Sequence, residues 1–448
     1  MFKISELIKI THGRQYGSVQ DALVRGISID SRTIRTGDLF IAIKGNRFDG
    51  HDFLKEAVRK KAAGVIVEEG LDKSVKVPVI VVKDTIRALA DIAAYHRKKF
   101  NIPVVGVTGS NGKTTTKDMA AWILEKKFKV LKNPGTQNNQ IGLPMALLKL
   151  NKNFDIAVLE IGTNHFGEIG YLARVAKPNI GIINNIGPAH LEFLKNLAGV
   201  YREKYSLIKN LAFPSIAILN LDDRFLIRNI RDKDKFVIGF GINHNADYRA
   251  SGIKRTKNGI EFLVNSRCAI KLKSVGVNNI YNALPAISVA RLLGMDYNMI
   301  AERLEDFEFH AGRLALIKKD KINFIDDTYN SNPASLGQAL DALHNIKTKG
   351  RKIFIMGDML ELGRSKENIH RLAGRGIARV ADVLITVGSL TRLAAVEANK
   401  AGLDINSIFN CDSCEEAKEL LFNRIIPKKD DIILVKGSRL MQMEKIVR

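Results

Sequence analysis

The sequence predicts an α/β protein of three domains: a small N-terminal α/β domain, a central parallel-sheet domain with a phosphate loop, and a C-terminal Rossmann-like domain. Length is the first reason, because 448 residues suffice for about three domains of ordinary size. The second is the alternation of apolar, strand-like runs with amphipathic helical runs along most of the chain, which is typical of α/β folds. The third is a glycine-rich loop that connects one such strand to a helix.

The first predicted domain spans residues 1–100. Its strand-like runs are GISID, DLFIAIKG, GVIVEE and VPVIVV, and its helical runs are HDFLKEAVRKKAA and DTIRALADIAAYHRKKF. Both types are short, so this is predicted to be a small α/β unit. Residues 101–103 are predicted to be a linker, because a new buried-strand run, VVGVTG, begins directly after them.

The second and third predicted domains span residues 101–308 and 309–448. In the second, the strand-like runs VVGVTG, FDIAVLEIGT and NIGIINNI are each followed by a helical run, which indicates a parallel sheet covered on both faces. Between residues 247 and 273 the pattern changes to short alternating strands, which predict a small antiparallel insertion. In the third, INFIDDTY, KIFIMGDM, DVLITVG and DIILVKGS alternate with helical runs, as in doubly wound folds.

Composition restricts the partners and the compartment. The formal net charge is +23, but the basic residues lie in short dispersed clusters, which indicates solvated surface or a field that attracts polyanionic small molecules rather than a nucleic-acid groove. We therefore expect no nucleic-acid partner. No leader pattern and no run of about 18 apolar residues is present, so we expect a cytoplasmic protein without an integral membrane segment. No oligomer signal is present, and a monomer is expected.

The three cysteines are not expected to carry chemistry. Cys268, Cys411 and Cys414 are too few for an extracellular disulfide framework, which fits a reducing compartment. The spacing CDSC at 411–414 is compatible with a redox or zinc motif, but no further Cys or His lies nearby. A structural role is therefore the favoured interpretation.

The strongest local signal is VVGVTGSNGKTTT at 104–116, where an apolar strand passes through a glycine-rich loop into a helix. Backbone N–H groups of such a loop hold phosphate, the lysine neutralises its charge, and the next hydroxyl can bind Mg²⁺. The usual pattern has a glycine where this chain has Val107. The loop nevertheless predicts an ATPase site, with these nucleotide-binding residues: Gly109, Ser110, Asn111, Gly112, Lys113, Thr114 and Thr115.

Further strings in all three domains resemble those of the Mur ligase family of ATP-dependent amide-bond-forming enzymes. They are TGSNGKTTT, LEIGTNHFGEI, NNIGPAHLE, REKYSLI, NNIYNALPA, HAGR and DDTYNSNP, in family order. Within the family, NNQIGLP, GTNHFGEI, DDTYNSNP and GDMLELG are most similar to the members that add D-alanyl-D-alanine to UDP-N-acetylmuramoyl-tripeptide. The resemblance implies that ATP phosphorylates the peptide carboxylate and that the amine of the dipeptide attacks the acyl phosphate, in the cytoplasmic stage of peptidoglycan synthesis.

The resemblance also implies residue roles around ATP and magnesium. Lys113 would contact the β- and γ-phosphates, and the Mg²⁺ ligands would be Thr114, Glu160, His190 and a carbamylated Lys204. Carbamylation requires a neutral lysine amine, so a lowered pKa would favour it. In REKYSLI, Tyr205 and Ser206 depart from the family's usual residues. The residues implied as catalytic are Lys113, Lys204, His190 and Arg313.

The remaining implied roles concern the nucleotide base and the substrates. Asn279 and Asn282 match an adenine-contacting pair, although Asn278 stands where the family usually has His. Arg313 would reach the nucleotide phosphates and Asp327 the ribose. Ser31 and Arg32 would belong to a uridine-diphosphate pocket in the first domain. The other implied substrate-binding residues are Thr136, Asn138, Asn139, Asn164, His165 and Asn330.

Two other interpretations are open from the sequence. One is another Mur-type or folylpolyglutamate-synthase-like amide ligase, which would differ in the acceptor that stimulates phosphate release. The other is a nucleic-acid-dependent ATPase, which would be stimulated by DNA or RNA but leaves Glu160, His190 and Lys204 unexplained. The third residue of the peptide substrate, diaminopimelate, lysine or another diamino acid, is also open.

Overall fold

The computed structural model describes residues 2–16, 21–45, 48–68, 75–229, 235–256, 259–319 and 322–447. Within these ranges the strands form a five-stranded, a nine-stranded and a six-stranded sheet, together with one two-stranded pair. The predicted fold class, a multidomain α/β protein with a central parallel sheet and a Rossmann-like C-terminal part, is confirmed. The domain boundaries after residues 100 and 308 stay predictions.

The N-terminal sheet has the order β2-β7-β6-β5-β4, in which β4 to β7 are parallel and β2 is an antiparallel edge. Its strands and helices are β1 (Phe2–Lys3), α1 (Ile4–Thr11), β2 (Arg14–Tyr16), β3 (Leu23–Val24), β4 (Gly26–Ser28), β5 (Asp38–Ile41), α2 (Leu54–Arg59), β6 (Gly64–Val67), β7 (Val79–Val81) and α3 (Thr85–Lys98). Strands β1 and β3 form the separate pair. The side chains of Leu39, Ile66 and Ile80 build the core beneath α1 and α3.

The central sheet has the order β16-β15-β14-β13-β12-β11-β8-β10-β9. Its first half consists of β8 (Val104–Thr108), α4 (Lys113–Leu124), β9 (Val130–Lys132), α5 (Gly142–Leu147), β10 (Ile156–Glu160), α6 (Glu168–Ala176), β11 (Ile180–Ile183), α7 (Leu191–Leu194) and α8 (Leu197–Lys209). Its second half consists of β12 (Ile216–Asn220), α9 (Arg224–Asn229), β13 (Phe236–Gly241), β14 (Tyr248–Thr256), β15 (Gly259–Val264), β16 (Cys268–Leu272), α10 (Asn278–Leu292) and α11 (Tyr297–Glu305).

The central parallel strands of this sheet, β8, β10 and β11, are buried on both faces. Val105 and Val107 of β8 pack into one apolar core, whereas Val104 packs into the other, because successive side chains of a strand point to opposite faces. The antiparallel strands predicted between residues 247 and 273 are present as β14, β15 and β16. They are not a separate insertion, because β14 pairs with β13 and the three strands extend the central sheet.

The C-terminal sheet has the order β17-β18-β22-β19-β20-β21, with β17 as an antiparallel edge. Its strands and helices are β17 (Ala315–Lys319), β18 (Ile322–Asp327), α12 (Pro333–Asn345), β19 (Lys352–Gly357), α13 (Lys366–Ile377), β20 (Val383–Val387), α14 (Thr391–Lys400), β21 (Ile408–Cys411), α15 (Cys414–Leu420), β22 (Ile432–Lys436) and α16 (Glu444–Val447). Cys411 and Cys414 are buried in one of its apolar cores, and burial raises the pKa of the Cys411 thiol to about 11. Such thiols are poor nucleophiles at neutral pH, which agrees with a structural role.

Helix α3 joins the N-terminal part to the central sheet. Its Leu89 packs into the N-terminal core, and its Ala90 packs into a core of the central sheet. Near its end, the buried Arg97 donates hydrogen bonds to the carbonyls of Ala176, Phe100 and Ile102, at 3.1, 2.5 and 3.1 Å. One side chain therefore satisfies three carbonyls at the junction.

We predict that Arg97→Ala lowers the free energy of unfolding by about 3 kcal/mol, because it leaves buried carbonyls without a donor. Urea denaturation followed by circular dichroism measures this change. Arg87→Ala on the same helix is the control, since the Arg87 side chain is 76% exposed. Equal effects of the two substitutions would contradict the role assigned to Arg97.

Candidate active site

The phosphate loop lies between β8 and α4, at the carboxyl end of the central strands. Gly109 and Gly112 have positive φ angles of 153° and 82°, a region that disfavours residues with a Cβ. A Cβ on Gly112 would lie 2.0 Å from Asn282 Oδ1. The loop is held by the end of β11, where Asn185 accepts from the N–H groups of Ser110 and Asn111 at 3.0 and 2.9 Å.

Lys113 is the first residue of α4, and its side chain folds back across the loop. Its Nζ donates to the carbonyl oxygen of Gly109 at 3.0 Å. Burial lowers the pKa of Lys113; Glu160 opposes this shift, and Arg313 adds to it. The half-buried lysine amine is therefore held at the place where the loop would receive phosphate.

The next residue, Thr114 of α4, connects the end of β10 with the C-terminal part of the chain. Its hydroxyl donates to Glu160 Oε2 at 2.7 Å and accepts from Arg313 Nη2 at 3.0 Å. Glu160 ends β10, which is the neighbour of β8 in the sheet, so the two carboxyl ends meet. Asn138 Nδ2 donates to the other carboxylate oxygen, Oε1, at 2.6 Å.

The predicted metal ligands are only partly brought together. Thr114 and Glu160 are in contact and provide oxygen donors, which suit Mg²⁺. His190 lines the same cavity, and its Nδ1 lies 3.0 Å from Glu361 Oε2 without the alignment of a hydrogen bond. Within the described residues, no three His, Cys, Asp or Glu side chains cluster as a metal site. A magnesium site would thus need ligands beyond these side chains.

Lys204 lies on α8 and is 1% exposed. Burial lowers the pKa of Lys204 well below its ordinary value, the nearby charge of Lys113 adds to this, and Glu203 opposes it. Glu203 itself accepts hydrogen bonds from the N–H groups of Gly167 and Ile169, at 2.6 and 2.8 Å. In the described part of the chain, Lys204 Nζ has neither a hydrogen bond nor an ion pair. Its environment therefore favours the neutral amine.

The C-terminal domain completes the site from the opposite side. The guanidinium of Arg313, besides its bond to Thr114, lies over the ring of Tyr329 with 4.1 Å to the centroid. Asp327 Oδ2 lies 2.5 Å from Lys436 Nζ, and the same Nζ donates to the carbonyl oxygen of Asn330 at 3.0 Å. The predicted ribose-binding carboxylate is therefore already neutralised by a buried lysine.

Asn279 and Asn282 lie one turn apart on α10, as the sequence predicts. Asn282 Nδ2 donates to Asn279 Oδ1 at 2.8 Å, and Asn279 Nδ2 donates to Ser274 Oγ at 2.6 Å. Both side chains are buried and both line the cavity. Part of their hydrogen-bonding capacity thus serves the protein itself, and a contact with adenine stays a prediction.

One cavity of about 590 Å³ collects most of the predicted site residues. The predicted site residues that line this cavity are Ser110, Asn111, Gly112, Lys113, Thr114, Thr115, Thr136, Asn138, Asn139, Glu160, Asn164, His165, His190, Asn279, Asn282, Arg313, Asp327 and Asn330. Gly109 and Lys204 do not line the cavity but lie close to residues that do. Gly109 accepts a hydrogen bond from Lys113 Nζ, and the charge of Lys113 acts on Lys204. The cavity therefore spans the interface between the central and C-terminal domains.

The predicted uridine-diphosphate residues do not line this cavity. Ser31 Oγ donates to Glu56 Oε2 at 2.8 Å inside the N-terminal part. Arg32 projects into solvent and holds Asp30 through two bonds of 2.9 and 2.7 Å, which lowers the pKa of that carboxyl to about 2. A second pocket around these residues stays a prediction.

Several contacts across the domain interface were missed by sequence reasoning. His310 Nε2 lies 3.1 Å from Asp118 Oδ2, and Asn332 Nδ2 donates to Asn111 Oδ1 at 2.8 Å. His310 and Asn332 belong to HAGR and DDTYNSNP, so these two strings could have drawn attention to them. Asp118 gave no such signal, because a carboxylate within an amphipathic helix is ordinarily solvated.

The fold and the cavity define an α/β protein whose glycine-rich strand-to-helix loop faces a cavity between the central and the C-terminal sheets. Three family models match the chain: "Mur ligase family, catalytic domain" at residues 23–97, "Mur ligase middle domain" at 107–290 and "Mur ligase, glutamate ligase domain" at 312–439. The chain therefore belongs to the Mur ligase family, whose members are ATP-dependent, amide-bond-forming ligases.

Individual members of the family are similar to this chain over nearly its full length. The UDP-N-acetylmuramoyl-tripeptide–D-alanyl-D-alanine ligases of Bacillus subtilis and Escherichia coli are each 34% identical, and the alignments cover 99% of this chain and 96% and 97% of theirs. A crystal structure of MurF from Acinetobacter baumannii superposes with a TM-score of 0.91 at 32% identity, covering 100% of this chain and 98% of that chain. MurF from Thermotoga maritima in complex with ADP gives 0.85 at 29% identity, covering 96% and 97%.

We predict that Gly112→Ala reduces ATP turnover at least about 100-fold, because the new methyl group collides with Asn282 in a loop that has to hold phosphate. Phosphate release with saturating substrates measures this. Gly167→Ala is a matched control, since Gly167 has a φ of 89° but no atom within 4 Å of its added Cβ. Similar losses in both variants would show that the clash is not the cause.

Proposed function

We propose that this enzyme joins D-alanyl-D-alanine to UDP-N-acetylmuramoyl-tripeptide at the expense of ATP, in the cytoplasmic stage of peptidoglycan synthesis, and acts as a monomer. The observation that carries the proposal is the contact of Thr114 with both Glu160 and Arg313, which brings the phosphate loop and the C-terminal domain to one cavity. Full-length similarity to ligases of that name supports the choice of substrates. Among the described residues, no helix is long and apolar enough to cross a membrane.

The proposed reaction has two steps. The γ-phosphoryl group of ATP passes to the terminal carboxylate of the tripeptide, which yields ADP and an acyl phosphate. The amine of D-alanyl-D-alanine then attacks the acyl carbon, the amide bond forms, and inorganic phosphate leaves. Both reactants of the first step are anions, so catalysis consists largely of positioning and neutralising charge.

The chain's own cations are arranged for this task. Lys113 lies on the loop side of the cavity, where it would contact the β- and γ-phosphates, and Arg313 approaches from the C-terminal domain. Asp327 would hold the ribose, and Asn279 and Asn282 would contact adenine. Because these groups belong to two domains, bound ATP would stabilise the closed interface.

Magnesium fits the donors that face this cavity. Thr114 and Glu160 supply oxygen atoms and His190 a ring nitrogen at the cavity wall, and a carbamate on Lys204, which lies outside the lining, would complete the set. Bound Mg²⁺ would offset the negative charge of the phosphates. Carbamylation consumes a neutral amine, and the buried environment lowers the pKa of Lys204 in that direction.

The substrate residues divide between two regions. Thr136, Asn138, Asn139, Asn164, His165 and Asn330 line the cavity and are proposed to contact the sugar-peptide or the incoming dipeptide. Ser31 and Arg32 are proposed to bind the uridine diphosphate in the N-terminal domain. The substrate consists of a nucleotide joined to a sugar and a peptide, so it is long enough to contact both regions.

The other interpretations have weaker support. A folylpolyglutamate synthase from Mycobacterium tuberculosis shares the fold, with a TM-score of 0.64, but only 15% identity. A UDP-N-acetylmuramate-alanine ligase from Thermotoga maritima gives 0.61 at 17%. A nucleic-acid-dependent ATPase would leave the full-length similarity to D-alanyl-D-alanine ligases unexplained.

We predict that phosphate release requires a UDP-N-acetylmuramoyl-tripeptide together with D-alanyl-D-alanine, and that single amino acids stimulate it at least about 100-fold less. A coupled phosphate assay, with chromatography of the nucleotide product, measures both. Tripeptides with diaminopimelate or lysine as the third residue identify the natural substrate. Equal stimulation by glutamate, or stimulation by DNA or RNA, would contradict the proposed substrates.

We predict that Lys204→Ala loses at least about 100-fold of its activity and regains part of it with formate or acetate, since a small carboxylate can replace the carbamate oxygens. Lys204→Arg is the control, because guanidinium cannot take up CO₂ and excludes added carboxylate from the space. Carbon-13 NMR of wild-type enzyme in ¹³CO₂-bicarbonate with magnesium and ADP would show a lysine carbamate. Absence of that signal in active enzyme would contradict the assignment.

A further inference from the structure

The amino ends of the central strands form a surface on the far side of the sheet from the cavity. The loops that lead into these strands are joined to one another by backbone hydrogen bonds: Phe236 N to Ser215 O at 3.0 Å, Ile216 N to Asn179 O at 2.9 Å, and Asn179 N to Val104 O at 3.0 Å. Ala157 N to Pro103 O, at 3.0 Å, and Asp155 N to Lys129 O, at 2.9 Å, continue the row. Six neighbouring strands with spacings of about 4.8 Å thus give a continuous edge about 24 Å long.

This edge combines lysine with exposed phenylalanine. We call it the basal edge and define it by six residues at or just before the amino ends of the strands. Four lie in the connecting segments, one is the last residue of α8 and one is the first residue of β13: Lys129, Lys152, Lys177, Phe213, Lys209 and Phe236. All four lysines are exposed, and in the described part of the chain none of their ammonium groups has a hydrogen bond or an ion pair. Phe213 is 95% exposed and Phe236 is 66% exposed. The two phenylalanines belong to neighbouring strand ends, because Phe213 precedes β12 and Phe236 begins β13, and these strands pair from Ile216 and Phe236 onward.

Neither half of this pattern is used by the enzyme's fold or by its cavity. Phe213 contributes almost nothing to a core, and within the described ranges of the chain the four lysines pair with no carboxylate. Asp155 is an acidic residue among the described residues of these loops. Its carboxylate Oδ2 accepts a hydrogen bond from the backbone N–H of Lys129 at 2.8 Å and not from a lysine ammonium group. A surface of unpaired cations around a protruding aromatic pair has the chemistry that recognises a negatively charged, amphipathic partner.

We propose that the basal edge binds the surface of a membrane that contains anionic lipids. Lysine ammonium groups are attracted to the anionic headgroups, and the rings of Phe213 and Phe236 enter the interfacial region, where aromatic side chains are stabilised. Because the strand ends lie in a row, a flat partner can contact these groups at the same time. The cavity opens at the opposite edge of the same sheet, so a bound enzyme keeps its cavity accessible from water.

Nucleic acid is the competing partner for a basic surface. Its backbone would attract the lysines, but it gains little from two neighbouring phenylalanines unless its bases are unstacked. The two exposed phenylalanines therefore favour a membrane over nucleic acid. Substituting them in the experiment separates the two partners.

The test is sedimentation of the full-length protein with vesicles. At about 0.1 M salt, where charges still act over about 10 Å, we expect the protein to pellet with vesicles of phosphatidylcholine mixed with phosphatidylglycerol and to remain in the supernatant with phosphatidylcholine alone. We expect Phe213→Ser, and separately Lys152→Glu combined with Lys209→Glu, to weaken binding at least about fivefold. Phe236→Ser tests the aromatic contribution at a second strand end, the start of β13.

Matched controls lie on the C-terminal domain. Ile405→Ser removes another exposed apolar side chain, 62% exposed, and Lys347→Glu combined with Lys349→Glu changes the net charge by the same amount as the basal pair. Both controls should bind vesicles like the wild type, and phosphate release without vesicles should be unchanged in all variants. The proposal is overturned if wild-type protein does not pellet with anionic vesicles, or if the controls lose as much binding as the basal variants. Tighter binding to mixed-sequence RNA than to vesicles, insensitive to Phe213→Ser, would assign the edge to nucleic acid instead.

Discussion

The Thr114 hydroxyl, placed between the Glu160 carboxylate and the Arg313 guanidinium, is the contact on which the architecture of the site depends. It joins the helix after the phosphate loop, the neighbouring strand of the central sheet, and the C-terminal domain. Each partner needs its own element in position: Glu160 needs the pairing of β10 with β8, and Arg313 needs the third domain against the second. A hydroxyl can donate to one and accept from the other, which a charged side chain at this position could not do.

Three fully buried lysines illustrate how this interior treats positive charge. Lys117 donates to the carbonyls of Asn133 and Gly135, both at 2.9 Å, and Lys436 pairs with Asp327. These two are satisfied in the manner expected of buried charges. Lys204 is different, because burial and the charge of Lys113 act on an amine that has no partner among the described residues. A group left in this state costs stability, and such costs are ordinarily retained at functional positions.

The two ends of the central strands carry different kinds of side chain. At the carboxyl ends of its strands lie the glycine loop, Glu160 and the cavity shared with the C-terminal domain. At the amino ends lie the lysines and phenylalanines of the basal edge, exposed and distant from that cavity. Parallel strands make this division possible, because all of their carboxyl ends meet on one side. The antiparallel strands β14 to β16 extend the same sheet laterally.

The α/β class, the order of strands and helices, and the phosphate loop can be predicted from the amino-acid sequence alone, because they depend on apolar periodicity and on glycines within a short segment. The sequence also indicated the antiparallel strands after residue 247, although not that they continue the central sheet, since strand pairing is a long-range property. Only the tertiary structure decided that Arg313 meets Thr114, that Glu361 approaches His190, and that His310 meets Asp118. These partners come from different domains, and no local pattern records which surfaces will face each other when separate cores pack together.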